Sequence, residues 1–176
     1  EPRTNTGFFL FLTYMDPHDP YFARPLSGES YSRAANTDPD PKLAARFSEL
    51  YDGEIQHFDE HFGRLVAWLK KEGVYDKAVI VVTADHGEEF QEHGGWWHGT
   101  TLYEEQIHVP LLVRLPGGKD AGTRRADLAS LIDVAPTLTA AAGLKSAPTW
   151  VGRDLFGEAK APQAVFSEED HQGNVL

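Results

Sequence analysis

Two uninterrupted apolar runs, Phe8–Thr13 (FFLFLT) and Ala78–Thr83 (AVIVVT), constrain what this chain can fold into more than any other feature. Neither alternates between apolar and polar residues, so each reads as a strand covered on both faces. Between them lies the clearest helical pattern. Phe47, Tyr51, Ile55, Phe58, Phe62, Leu65, Val66 and Leu69 recur at helical spacing and form one apolar stripe. Asp40 suits the N-cap and Pro41 the first turn; Lys70 and Lys71 favour the C-terminal end and Gly73 is a natural stop. Strand, long helix, strand is the βαβ pattern, which predicts a mostly parallel sheet flanked by helices on both faces.

The remaining chain extends this α/β reading. Val109–Leu115 is expected as a third strand, stopped by Pro116-Gly117-Gly118, and Leu131–Ala142 as a helix with Gly143 at its C-cap. Ala164–Ser167 is expected as a last strand, and the stretch from Phe22 to Pro41 as an extended surface loop or insertion. The 176 residues suffice for one domain with a sizeable core, without internal repeats. Because the chain opens at Glu1 rather than Met and runs almost at once into an apolar strand, its fold is expected to be truncated at both ends.

Charge narrows the function. The net charge of -11 comes with no stripe of Lys and Arg, which argues against nucleic-acid binding. An anionic substrate would need a local positive centre such as a metal. With no cysteine, the chain holds neither a disulfide nor a thiolate zinc site, and no apolar run approaches membrane-spanning length.

In open α/β sheets ligands bind beyond the carboxyl ends of the strands. After Ala78–Thr83 come Asp85, His86 and Gly87; after Phe8–Thr13 come Asp16 and His18. Adjacent Asp and His in a strand-to-loop turn let a hard carboxylate and a neutral imidazole reach one cation, with Gly87 permitting a tight fold. Two ligands leave the coordination shell incomplete. Beyond them, Gln91–Gly99 is a loop rich in Gly, His and Trp in which His98 is placed to approach a ligand oxygen. His93 competes for that role and ranks as supporting or structural. Glu88 and Glu89 are either supports of the site or a solvated acidic turn, and Trp96 and Trp97 line a cleft or pack the loop. His57 and His61 read as helix-surface groups; His108 and His171 carry no motif.

The run TADHGEEFQEHGGWWHGTTLYEEQIHVPLLVRLPG (Thr83–Gly117) resembles the sulfatase-type hydrolases of the alkaline phosphatase superfamily nearly end to end. MDPHDPY (Met15–Tyr21), YDGEI (Tyr51–Ile55), DVAPTL (Asp133–Leu138), AAGL (Ala141–Leu144) and GRDL (Gly152–Leu155) follow the same pattern in order. The resemblance implies an alkaline-phosphatase-like fold, of which residues 1–176 form part of a single catalytic domain. It also implies a divalent cation and a covalent esterase mechanism. Asp85 and His86 match a pair of metal ligands. His18 matches the histidine that contacts the ester and serves as general acid, and His98 matches the Lys or His that binds the sulfate oxygens. The second ligand is Asn or Gln in many family sulfatases, with calcium as the cation. His86 resembles instead the phosphonate and phosphodiester hydrolase branch, which keeps manganese and zinc open beside calcium.

Two family elements do not occur in the chain: the nucleophile motif, Cys or Ser followed by x-Pro-x-Arg, and the acidic pair that completes the metal site. The first reading is a sulfuric ester hydrolase acting on small-molecule or sugar sulfate esters. A phosphodiester or phosphonate hydrolase, or a phosphoethanolamine-type transferase, is the second, and a non-catalytic metal-binding domain the third. The resemblance implies a periplasmic or extracellular setting. The 176-residue chain alone is expected to be inactive.

Overall fold

The structure, a computed structural model, describes residues 7–34, 37–158, 164–171 and 174–175. The chain ends and part of the loop between Phe22 and Pro41 lie outside the described residues, as does the His171 side chain. The chain divides into two compact units, Glu1–Arg64 and Leu65–Leu176. The helix α1, Ala44–Lys71, spans the boundary between them in sequence.

In the first unit, β1 (Tyr21–Phe22) pairs antiparallel with β2 (Ser30–Tyr31). Asp40 accepts a hydrogen bond from the Lys42 N–H at 3.0 Å, and Pro41 opens a short 3-10 turn that leads into α1. Such a cap satisfies one of the donors a helix start leaves open. The fully buried residues of α1 here are Phe47, Leu50 and Glu54, with Tyr51 and Phe58 of the expected stripe half-buried; Ile55 faces solvent. Tyr21 lies buried against Tyr51, ring centroids 5.6 Å apart, and Tyr31 against Phe47 at 4.4 Å. Glu54 takes a buried place on α1 because its carboxylate is satisfied. It accepts from the Phe22 N–H at 2.7 Å and from Arg24 Nε and Nη2 at 3.1 and 2.6 Å.

Phe8–Thr13 is not a strand. No partner pairs with it among the described residues, and Phe9 and Phe11 are 74% and 77% exposed. A strand covered on both faces exists only where neighbouring strands take its N–H and C=O groups and other layers take its side chains.

In the second unit, β3 (Ile80–Thr83) pairs with β6 (Leu111–Arg114) in the register Ile80↔Arg114 to Thr83↔Leu111. This pair is antiparallel, as are all the strand pairs among the described residues, so the α/β class holds while the expected parallel pairing is not found. The reason is connectivity: the chain leaves β3 and returns through the loop 84–110 without a crossover helix, which sets the two strands head to tail. That loop carries β4 (Glu89–Phe90) paired with β5 (Trp96–Trp97), and the short helix α2 (Glu104–Ile107).

Arg114 closes the far end of the β3–β6 pair by donating to the Tyr75 and Ala78 carbonyls while its guanidinium lies 3.8 Å from the Tyr75 ring centroid. A capping box between Ser130 and Asp133 starts the 3-10 turn Leu131–Asp133, which leads into α3 (Val134–Ala141). Asp133 also accepts from the Arg153 N–H and Thr137 from the Leu155 N–H, so the DVAPTL and GRDL motifs form one packed corner. Ala164–Ser167 is not a strand; the last pair is β7 (Asp170–His171) with β8 (Asn174–Val175). Among the described residues no helix is long and apolar enough to cross a membrane.

Candidate active site

The antiparallel pair delivers the chain at Thr83, whose hydroxyl donates to the Pro110 carbonyl at 2.8 Å and ties the loop's two ends together. Asp85 and His86 follow. The Asp85 carboxylate is 91% exposed and receives the His86 N–H at 3.1 Å. His86 Nδ1 lies 2.7 Å from the Gly87 carbonyl oxygen. A carbonyl only accepts, so Nδ1 carries the proton and the Nε2 lone pair points elsewhere. Nε2 sits 3.8 Å from Asp85 Oδ2, too far for a hydrogen bond. It is a separation that two ligands bonded at about 2.0–2.2 Å to one cation span. A backbone carbonyl on the second nitrogen is the usual way a metal-binding imidazole is oriented. One carboxylate and one neutral imidazole therefore fit half a coordination shell, while among the described residues no group of three or more His, Cys, Asp or Glu converges on a metal position.

His98 joins them through its ring, stacked on His86 with centroids 3.8 Å apart and planes 29° apart. Its Nδ1 is 2.9 Å from Glu88 Oε1, a carboxylate with a nearly buried side chain. Glu88 is thus a partner of His98 rather than part of a solvated turn. His93 is engaged elsewhere: its ring stacks on Tyr103 at 3.6 Å and its Nδ1 meets Glu105. Burial pushes the Glu105 carboxyl up, but the hydrogen bond with His93, a backbone bond and the imidazole's charge outweigh this and hold it below the usual carboxylate range.

Beneath the stacked pair lies a polar scaffold. Glu89, fully buried, accepts from the Gly95 N–H at 2.7 Å, the His93 N–H at 3.3 Å and Gln106 Nε2 at 2.9 Å. Gln106 Oε1 accepts from the Gly99 N–H at 3.0 Å, its Nε2 also donates to Thr101 Oγ1 at 2.8 Å, and its main-chain carbonyl accepts from the Gly87 N–H at 2.8 Å. Gly87 has no alternative, because a Cβ there would collide with the Glu105 carbonyl oxygen. Trp96 and Trp97 are buried in β5 and pack the loop.

The structure thus gathers Asp85, His86 and His98. His18 belongs to the first unit, where its Nδ1 lies 2.7 Å from the Asp19 carbonyl. There it lines a cavity of about 340 Å³ with Asp16, Asp19, Phe22, Arg24 and Glu54. The sequence reading gave no role to Gln106. Nothing local signals one, since its partners are main-chain groups brought near by the return of the loop.

The chain is similar in sequence and fold to known hydrolases. The chain is 38% identical over 112 residues to an N-acetylglucosamine-6-O-sulfatase of Bacteroides thetaiotaomicron, covering 64% of this chain and 19% of that protein. It is 34% identical over 161 residues to arylsulfatase K of Mus musculus, covering 90% and 28%. Among solved structures, a phosphonate monoester hydrolase from Silicibacter pomeroyi superposes with a TM-score of 0.67 at 32% identity, over 77% of this chain and 28% of that one. The likeness to that hydrolase makes the fold alkaline-phosphatase-like. The chain spans under a third of each of these proteins. The sulfatase family profile matches residues 2–144, and the chain belongs to the sulfatase family.

Proposed function

We propose that the protein to which this chain belongs hydrolyses sulfate esters, with Asp85 and His86 as two ligands of a divalent cation. The observation that carries the reading is the His86 tautomer: the Gly87 carbonyl holds the proton on Nδ1 and leaves Nε2 facing the exposed Asp85 carboxylate. A bound cation would polarise the ester oxygens and orient a nucleophile supplied from outside this chain. His98, held by Glu88, offsets negative charge developing on the sulfuryl oxygens. His18 donates a proton to the departing oxygen as general acid. The Asp85 carboxylate suits calcium, and the His86 imidazole suits manganese or zinc. Relatives named for N-acetylglucosamine-6-sulfate and aryl sulfates support sugar or aromatic sulfates as substrates. Residues 1–176 would form part of one catalytic domain, inactive alone, in a protein working in a periplasmic or extracellular setting.

A second reading, phosphonate monoester hydrolysis, is favoured by one observation: histidine at the second ligand position in a chain similar to a phosphonate monoester hydrolase. One experiment tests both. The full-length protein is assayed on aryl sulfate, N-acetylglucosamine-6-sulfate and a phenyl phosphonate monoester, each with calcium, manganese and zinc. Sulfate ester turnover lost in Asp85→Ala and His86→Ala supports the first reading; preferential turnover of the phosphonate supports the second. Cation binding without turnover of any ester would overturn both. Ester hydrolysis by the 176-residue chain alone, abolished by Asp85→Ala, would overturn the role of a partial domain.

A further inference from the structure

Gln106 touches the chain immediately after both stacked histidines. Its main-chain carbonyl receives the N–H of Gly87, next to His86, and its side-chain Oε1 receives the N–H of Gly99, next to His98. The side chain is almost fully buried and uses both ends of its amide at once. While Oε1 accepts, Nε2 donates to Glu89 Oε2 and to Thr101 Oγ1. Glu89 in turn holds the Gly95 and His93 N–H groups, so one carboxylate–amide pair ties the turn between β4 and β5 to the chain after His98.

We infer that Gln106 is a positioning residue that sets the separation of His86 and His98, an inference resting on the reading of His86 as a cation ligand and of His98 as the group that offsets charge on the ester. The geometry makes the role asymmetric. Substituting the side chain leaves the main-chain bond to Gly87 in place, so the His86 end is retained. The bond to Gly99 is lost, and with it the main-chain anchor that works beside the Glu88 contact to hold His98 over His86 at 3.8 Å. An aliphatic side chain of similar size fills the space but leaves the Gly99 N–H and Glu89 Oε2 without that partner. A group that acts on charge appearing in the transition state lowers kcat when displaced, with little effect on KM.

The test uses the full-length protein, with the His86–His98 ring-to-ring nuclear Overhauser effect and sulfate ester kinetics as readouts. In Gln106→Leu the ring contact is expected to disappear and kcat to fall about 10–100-fold, the range for groups that orient a metal or catalytic side chain. KM and the affinity for manganese are expected to stay near the wild-type values. A second pair of variants guards against a simple folding defect. Gln106→Glu alone sets two carboxylates together. Adding Glu89→Gln rebuilds the pair with its polarity reversed. The amide now at position 89 donates to the carboxylate now at position 106. That carboxylate still accepts from the Gly99 N–H, and the amide oxygen at position 89 still accepts from the Gly95 N–H. The double variant is expected to recover the ring contact and most of kcat lost in the single one. Retention of the contact and of kcat in Gln106→Leu would overturn the inference, as would a double variant no better than Gln106→Glu. A wild-type protein that shows the ring contact but hydrolyses no ester would sink the functional reading and leave the positioning role standing.

Discussion

The most apolar stretch of the chain, Phe8–Leu12, lies exposed, while one of its most polar, the loop Gly87–Gln106, encloses a fully buried carboxylate and a nearly buried amide. Each inverts the simple rule that apolar residues go inside. Burial needs surfaces on every side of a residue, and hydropathy supplies only the tendency. The apolar run meets no strand to take its backbone groups among the described residues. The polar loop closes on itself: three donors reach Glu89 and every polar end of Gln106 has a partner, so the cost of removing them from water is offset. Satisfied hydrogen bonds decide the second case, and the lack of a covering layer decides the first.

The contrast can be broken or sharpened by mutation. The largest effect is expected at Glu89→Ala, which leaves two N–H groups and an amide without their acceptor in a buried place. It should destabilise the second unit by about 3 kcal/mol, read as a lower urea midpoint by tryptophan fluorescence, since Trp96 and Trp97 report on this loop. An unchanged midpoint would mean that the loop is held by apolar packing after all. Gly87→Ala comes next, at about 2 kcal/mol, because its Cβ meets a main-chain oxygen that cannot swing aside. Gly95→Ala is expected to cost somewhat less than Gly87→Ala, because its Cβ meets the Glu89 side chain at 2.7 Å rather than a main-chain oxygen, though moving that carboxylate strains its hydrogen bonds.

Acid should loosen the polar loop and leave the apolar run untouched. The folded-state pKa of Glu105 is depressed below the ordinary 4.5, so its contribution is present above that value and is lost as pH falls through the lower, folded one. A near-ultraviolet circular dichroism titration downward from pH 4.5 is expected to show this loss in the wild type. Glu105→Gln should flatten it. The smallest effect is expected for Phe9→Lys combined with Phe11→Lys: within about 0.5 kcal/mol in the urea midpoint of the 176-residue chain, with better solubility. A large loss there would show that the run is covered in solution.

What could be read in advance follows the same line. The cap at Asp40 and Pro41, the stop at Gly73 and the strand-to-loop turn carrying Asp85 and His86 depend on groups a few residues apart, so the sequence alone determines them. The helical stripe was legible except at Ile55, which faces solvent, while Glu54 takes an inward place through Arg24 and the Phe22 N–H, some 30 residues away in the chain. The proposal of Asp85 and His86 as ligands rests on residue type, spacing and family resemblance; the stacking of His98 on His86 and the grip of Glu88 do not follow from these.

By itself, then, the sequence determined the family, the helices α1 and α3, β3 and β6, and the candidate ligand pair, since local propensity and short motifs specify those. Only the tertiary structure decided that β3 pairs antiparallel with β6, that Phe8–Thr13 forms no strand, and that Gln106 joins the chain beside His86 to the chain beside His98. Those outcomes depend on which hydrogen-bonding groups meet across long loops, and no local pattern of side chains encodes the return path of a loop.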